Sequence, residues 1–195
     1  MSAFENIMNK AAEQRRKIEE IQKKYMAEMQ EEFSNIVKEF FTECPAIQCV
    51  TWTQYTPYFN DGEECVFRIN EPYFVVEGFD REDIRDPYEY EDEDEFKTLS
   101  ILGSSGYGPK TWKEAVVFYA EKAEENKGSS MYSYYLKISE SYKEQLEKYP
   151  GYAAKVSAFA NFLSENEDIL EKVFGDHVAV YLTTDECFAE EYDHD

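Results

Sequence analysis

The first 44 residues contain neither glycine nor proline, and Pro45 is the first helix breaker in the chain. Within that span apolar residues recur at Phe4, Ile7, Ala11, Ile18, Ile21, Tyr25, Met29, Phe33, Ile36 and Phe40. Most steps are three, four or seven, which places these residues on one face of a helix. The residue before a proline resists the α conformation, so the helix is predicted to stop near Cys44. An unbroken helix of about 42 residues is roughly 63 Å long. A compact chain of this length has a radius of gyration of about 16 Å and is roughly 42 Å across. The helix must therefore project, bend or pair with another chain. The double step Tyr25 to Met29 to Phe33 departs from a strict heptad and resembles a stutter. One reading has residues 1–30 projecting and self-associating as a coiled coil through Phe4, Ile7, Ala11, Ile18, Ile21 and Tyr25. Phe33, Ile36, Val37 and Phe40 would then dock on the core. The other lays a single long helix across its own domain.

The charge of this segment differs from that of the rest. The 195-residue chain has 20 Lys+Arg against 42 Asp+Glu, a net charge of −22. Residues 1–40 hold seven basic and eight acidic residues, so nearly all of the excess follows them. Such a balance argues against direct binding of nucleic acid or of anionic lipid through the bulk surface. Duplex DNA carries one charge per about 1.7 Å of axis, so this net charge matches roughly 37 Å of duplex. Mimicry of DNA would require the charge to lie along one face. The basic residues Arg15, Arg16, Lys17, Lys23 and Lys24 make the first helix locally basic. They fit either a salt-bridged solvated face or pairing with an acidic surface of a partner subunit.

An apolar fraction of 43% and an aromatic fraction of 16% are sufficient for a real core, which excludes global disorder. No apolar run is long enough to cross a membrane, and residues 1–17 lack the apolar centre of a signal peptide. The cysteines Cys44, Cys49, Cys65 and Cys187 show no paired-knuckle spacing and fit a reducing cytoplasm, as free thiols.

Residues 46–76 read as β structure. AIQCVTWTQYTPYF is rich in β-branched and aromatic residues, and Asn60-Asp61-Gly62 is a hairpin signal before Cys65–Ile69. A third short run, Tyr73–Val76, follows Pro72. Residues 77–95 hold eleven carboxylates and two arginines and are expected as a solvated acidic loop extending to residue 97. Thr98–Leu102 is a short-strand candidate. Three helices are then predicted: one capped by Thr111 and Glu114 and ending at Gly128, one over 129–149, and one over 151–174 closed by Gly175. Val178–Leu182 is a last strand, before a tail at 185–195 with six acids and no lysine or arginine. The order predicts an α+β fold: a long helix (1–44), a globular α+β domain (45–184) with a small, mostly antiparallel sheet, and the acidic tail.

No motif for catalysis stands out. Gly103-Ser-Ser-Gly-Tyr-Gly-Pro-Lys-Thr111 approaches a phosphate-binding loop, but Pro109 displaces Lys110 by one position and removes an N–H donor. A glycine-rich connector into a capped helix explains it equally well. Signatures such as GxSxG and HExxH are absent, and only His177 and His194 are available as histidine bases. Neither a cofactor nor a metal is expected.

The segment Trp52-Thr-Gln-Tyr-Thr-Pro-Tyr-Phe-Asn-Asp-Gly62 gathers aromatics with polar tips, which serve as core packing or as interface anchors. Over Ala46–Ile69, WTQYTPYFNDGEECVF resembles a segment of uncharacterised small acidic proteins of tailed bacteriophages. The resemblance implies a phage origin, residence in the host cytoplasm and action on a host protein, with no activity or residue roles attached.

The expectation is a non-enzymatic acidic interaction protein that binds a basic surface of a host or viral protein, in its strongest form as a DNA mimic. The candidate contacts are Asp80, Glu82, Asp83, Asp86, Glu89, Glu91, Asp92, Glu93, Asp94 and Glu95, with Trp52, Tyr55 and Tyr58. The alternative is an assembly protein oligomerising through residues 1–30. A nucleotide-binding enzyme comes third.

Overall fold

The structure, a computed structural model, describes residues 3–59, 62, 64–79, 97–102 and 108–192, apart from the side chains of 3–6 and 26. It is α+β, with a long N-terminal helix and a six-stranded antiparallel sheet. The chain divides into two compact units, Met1–Glu39 and Phe40–Asp195.

The first unit is helical throughout its described length. Helix α1 runs Ala3–Glu43, and only its last turn falls in the second unit. It ends where the sequence predicts, with Cys44 N–H still donating to Phe40 carbonyl at 2.9 Å and Pro45 next in line. No cation of its own sits in the last turn. Lys155 supplies one, its Nζ 3.1 Å from the Glu43 carboxylate and 3.2 Å from the Glu43 carbonyl, where the negative end of the helix dipole lies.

In the second unit the strands are β1 (Cys49–Tyr55), β2 (Arg68–Ile69), β3 (Tyr73–Glu77), β4 (Lys97–Leu99), β5 (Val178–Thr183) and β6 (Cys187–Glu191). Their order is β4-β3-β1-β5-β6, with β2 also pairing β1. β2 and β3 are one interrupted strand along β1. Gln54 faces Ile69 and Thr51 faces Tyr73, which leaves one residue too many between them, and Asn70–Pro72 absorbs it as a bulge. Asn70 remains tied in, its N–H donating to the Thr53 carbonyl and its Nδ2 to Thr53 Oγ1, at 2.8 and 2.7 Å.

Four helices accompany the sheet: α2 (Trp112–Glu125), α3 (Ser130–Lys148), α4 (Tyr152–Glu165) and α5 (Glu167–Phe174). The predicted third helix over 151–174 is thus two helices. Asn166 breaks it, because its side-chain Nδ2 turns back to the Phe162 carbonyl at 2.7 Å while its own carbonyl starts α5. The predicted acidic tail also differs. Its residues 187–191 form the edge strand β6, and Thr183 Oγ1 accepts the N–H groups of Asp185 and Glu186 to make the turn. Carboxylates on that strand guard an open sheet edge against further pairing. The strand expected at 98–102 is the shorter β4, which starts one residue earlier and ends at Leu99.

Both faces of β1 are covered, so its burial is continuous rather than alternating. One face carries Val50, Trp52, Phe74, Val180 and Leu182, all fully buried. Phe40 at the end of α1 stacks on Phe159 of α4 at 4.3 Å and on Phe74 at 5.7 Å, and Trp52 meets Phe174 of α5 edge-on at 5.8 Å. The other face holds Cys49, Val75, Ala179 and Tyr181, with Phe79, Phe188 and Tyr192 packed over it. α2 and α3 form a hairpin pinned beside β4. Trp112 Nε1 donates to the Ser100 carbonyl at 2.9 Å, Gln145 accepts the Ser100 N–H at 2.9 Å, and Tyr119 stacks on Tyr142 at 5.8 Å.

Candidate functional site

Gln54 is the polar residue that organises one end of the sheet. It is fully buried at the end of β1, and its amide is spoken for on both sides. Oε1 accepts from Trp52 Nε1 at 3.0 Å, while Nε2 donates to the carbonyls of Leu170 and Gly175 at 3.2 and 2.6 Å. The C-terminal end of α5 is thereby fixed to the sheet, and the chain that leaves it is aimed at the mouth of β1. Gly175 has φ +97°, a backbone conformation that favours glycine.

Asp176 and His177 follow directly. The Asp176 carboxylate accepts the N–H of Thr56 at 2.7 Å and that of His177 at 2.9 Å. Partial burial opposes its ionisation, but these hydrogen bonds, with lesser attraction from His177, outweigh that and hold the carboxyl below its usual value. His177 lies at φ +56°, outside the regions most side chains occupy. Its ring stacks on Tyr58 at 4.6 Å and 17° and lies 6.3 Å from the ring of Tyr55, which itself packs on Tyr192 at 5.9 Å. The His177 carbonyl accepts the Tyr192 N–H at 2.8 Å, so the β5–β6 ladder continues into the cluster. His177 Nδ1 is buried without a hydrogen-bond partner.

The result is a cluster of Tyr55, Tyr58, His177 and Tyr192 beside Asp176. Tyr58 and the next residue, Phe59, are 73% and 77% exposed, more than any other large apolar residue described. An exposed aromatic ring near a carboxylate, as Tyr58 is to Asp176 through His177, is suited to a cationic partner, since a guanidinium can stack on a ring and pair with an acid.

The predicted residues divide. Tyr55 and Tyr58 meet in this cluster. Trp52 does not, because side chains alternate along a strand and its even position points to the helices, where it is fully buried. It is a core residue rather than a surface anchor. Asp80, Glu82, Asp83, Asp86, Glu89, Glu91, Asp92, Glu93, Asp94 and Glu95 lie outside the described residues, as do Asn60, Asp61, residues 103–107 and the Phe4 side chain. Ile7, Ala11, Ile18, Ile21 and Tyr25 lie on α1, where every described residue from Ile7 to Glu28 is exposed. Asp176, His177 and Tyr192 were not anticipated. The only local signal was a Gly-Asp-His triplet ahead of a strand.

The phosphate-loop alternative also meets the geometry. Thr111 caps α2 by accepting the Glu114 N–H at 3.1 Å. The Glu114 carboxylate accepts the Lys110 N–H at 2.9 Å, which places an acid in the first turn of α2, where it repels a phosphate. Among the described residues no group of three His, Cys, Asp or Glu side chains is placed to hold a metal ion, and no helix is long and apolar enough to cross a membrane. In comparisons with known proteins, no family model, no curated sequence and no solved structure matches the chain.

Proposed function

We propose that this protein is an acidic interaction protein that binds a basic surface of another protein through its second unit, with the Tyr55–Tyr58–His177 cluster at the contact. The observation that carries this reading is the exposure of Tyr58, which stacks on His177 next to the Asp176 carboxylate, with the following residue Phe59 exposed as well. The charge supports it: the chain is at −22, and almost all of the excess lies beyond residue 40. A field of that size speeds encounter with a cationic partner and makes binding salt-sensitive. The resemblance of Ala46–Ile69 to tailed-phage proteins is the ground for reading the partner as a host protein, and a nucleic-acid-binding one is the strongest form.

The test is capture from bacterial lysate by the full chain and by Tyr58→Ala/Phe59→Ala. A partner retained at low salt, displaced by added duplex DNA and lost in the double variant supports the reading. A lysate that yields no basic partner at low salt sinks it.

A second reading, assembly through α1, rests on a separate observation. Ile7, Ile18, Ile21 and Tyr25 are each more than half exposed on a single helix. Helices of this kind gain most of their stability from covering such a face.

A further inference from the structure

The exposed stripe of α1 has flanks of one sign. Its seam follows alternating steps of four and three through Ile7, Ala11, Gln14, Ile18, Ile21 and Tyr25. One flank is Lys10, Lys17 and Lys24; the other is Met8, Arg15 and Gln22. From Ile7 to Tyr25 no carboxylate borders the seam; the next seam position is Glu28, which pairs with Lys24 at 3.6 Å. The acids Glu13, Glu19 and Glu20 lie behind it, and Glu13 holds Lys17 from there at 2.7 Å.

This pattern disfavours pairing of α1 with another α1. In a parallel pair the lysine flank faces the Arg15 flank of the other helix, and in an antiparallel pair lysines face lysines. Either arrangement gathers like charge around a short apolar seam interrupted by Gln14. The complementary surface is apolar and bordered by acid.

Such a surface exists on the same chain. The outer side of α2 carries a shallow apolar patch of Val116, Val117 and Ala120, bordered by Glu121, Glu124 and Glu125. Val117 is 54% exposed. Glu124 and Glu125 bridge Lys127 and Lys122 at 3.0 and 2.7 Å, but these are exposed pairs that exchange partners at little cost. Ala120 and Ala11 are small enough to let two helices approach closely.

Resting on the assembly reading above, we infer that α1 of one molecule docks antiparallel on the α2 face of a second copy, with Ile18 and Ile21 over Ala120 and Val117 and with Lys17 and Lys10 against Glu121, Glu124 and Glu125. The contact joins two different surfaces, so it closes as a two-fold dimer where each α1 reaches the other copy's α2, and otherwise builds rings or open chains. An anionic membrane is a poorer partner, because the chain as a whole is at −22.

The experiment uses two full-length variants, Lys10→Glu/Lys17→Glu/Lys24→Glu and Glu121→Lys/Glu124→Lys/Glu125→Lys, with native circular dichroism confirming that each is folded. Mass is read by light scattering and association by sedimentation. The parent is expected to associate at low salt and to weaken about tenfold or more in 1 M NaCl. Each variant alone is expected to be monomeric, and an equimolar mixture of the two is expected to associate again. A parent that is monomeric at every concentration overturns the assembly reading and the inference together. Should the parent associate while the α2 variant associates as well as the parent, assembly stands and the α1–α2 contact falls. Monomeric parent that sediments with phosphatidylserine vesicles would also overturn the contact, in favour of a membrane.

Discussion

Replacing Gln54 by methionine tests whether the buried amide network fixes the candidate site. The two side chains are close in volume, so the change removes hydrogen bonds with little cavity. Three contacts go at once: Trp52 Nε1, the Leu170 carbonyl and the Gly175 carbonyl. At about 0.5–1.5 kcal/mol per net hydrogen bond the loss is roughly 1.5–4.5 kcal/mol. The indole N–H has no second way to be satisfied and the two carbonyls retain a lone pair for other donors, so a value of about 3 kcal/mol is expected. That is a large fraction of the roughly 5–15 kcal/mol by which a domain is folded. Urea unfolding followed by tryptophan fluorescence should show it, and melting should fall by about 6–12 °C for a chain of this size. A cycle with Trp52→Phe isolates one bond, because phenylalanine removes the donor that methionine leaves stranded. The double variant should recover about 1–2 kcal/mol relative to additivity. The His177 imidazole signals should shift as well, since Gly175 no longer aims Asp176 and His177 at Tyr58. A loss below about 1 kcal/mol with an unchanged His177 signal would refute the argument that this network supports the site.

The remaining predictions concern other parts of the chain. Thiol labelling of the native protein at pH 8 should modify the half-buried Cys65 first; burial pushes the Cys49 thiol up to about 12, which leaves a thiolate fraction of about 10⁻⁴. Cys187 should lag although its residue is exposed, because desolvation of its thiol pushes it up to about 11; equal rates at Cys49 and Cys65 would contradict this. Asp176 titrates below its usual 3.8, so it stabilises the fold above that pH and ceases to as pH falls through its folded value. The stability gap between the parent and Asp176→Ala should therefore be present at pH 6 and narrow as pH falls below 3.8, and a gap independent of pH would refute the assignment. Deleting residues 1–30 should leave the second unit cooperatively folded, because its core begins at Phe40; a molten product by near-ultraviolet circular dichroism would show otherwise.

Much of the fold is legible in the sequence because its signals are local. The span free of glycine and proline, with apolar residues at helical spacing, gives α1 and its stop at Pro45. Runs of β-branched and aromatic residues between turn residues give β1, β3 and β5. The site is less legible. Tyr55 and Tyr58 stand out as aromatic, but so does Trp52, and composition cannot say which of them faces water.

Two things were decided only by tertiary structure. Strand register put Trp52 and Gln54 on the helix-facing side and Tyr55 on the other, since neighbouring residues in a strand point opposite ways. Long-range hydrogen bonding then carried Asp176 and His177 to Tyr58, from 120 residues away, by anchoring the end of α5 on Gln54. Periodicity and capping are written within a few residues and can be read from a single chain. Which face is buried, and which distant turn closes over it, depends on the summed packing of all the elements, and no local stretch of sequence encodes that sum.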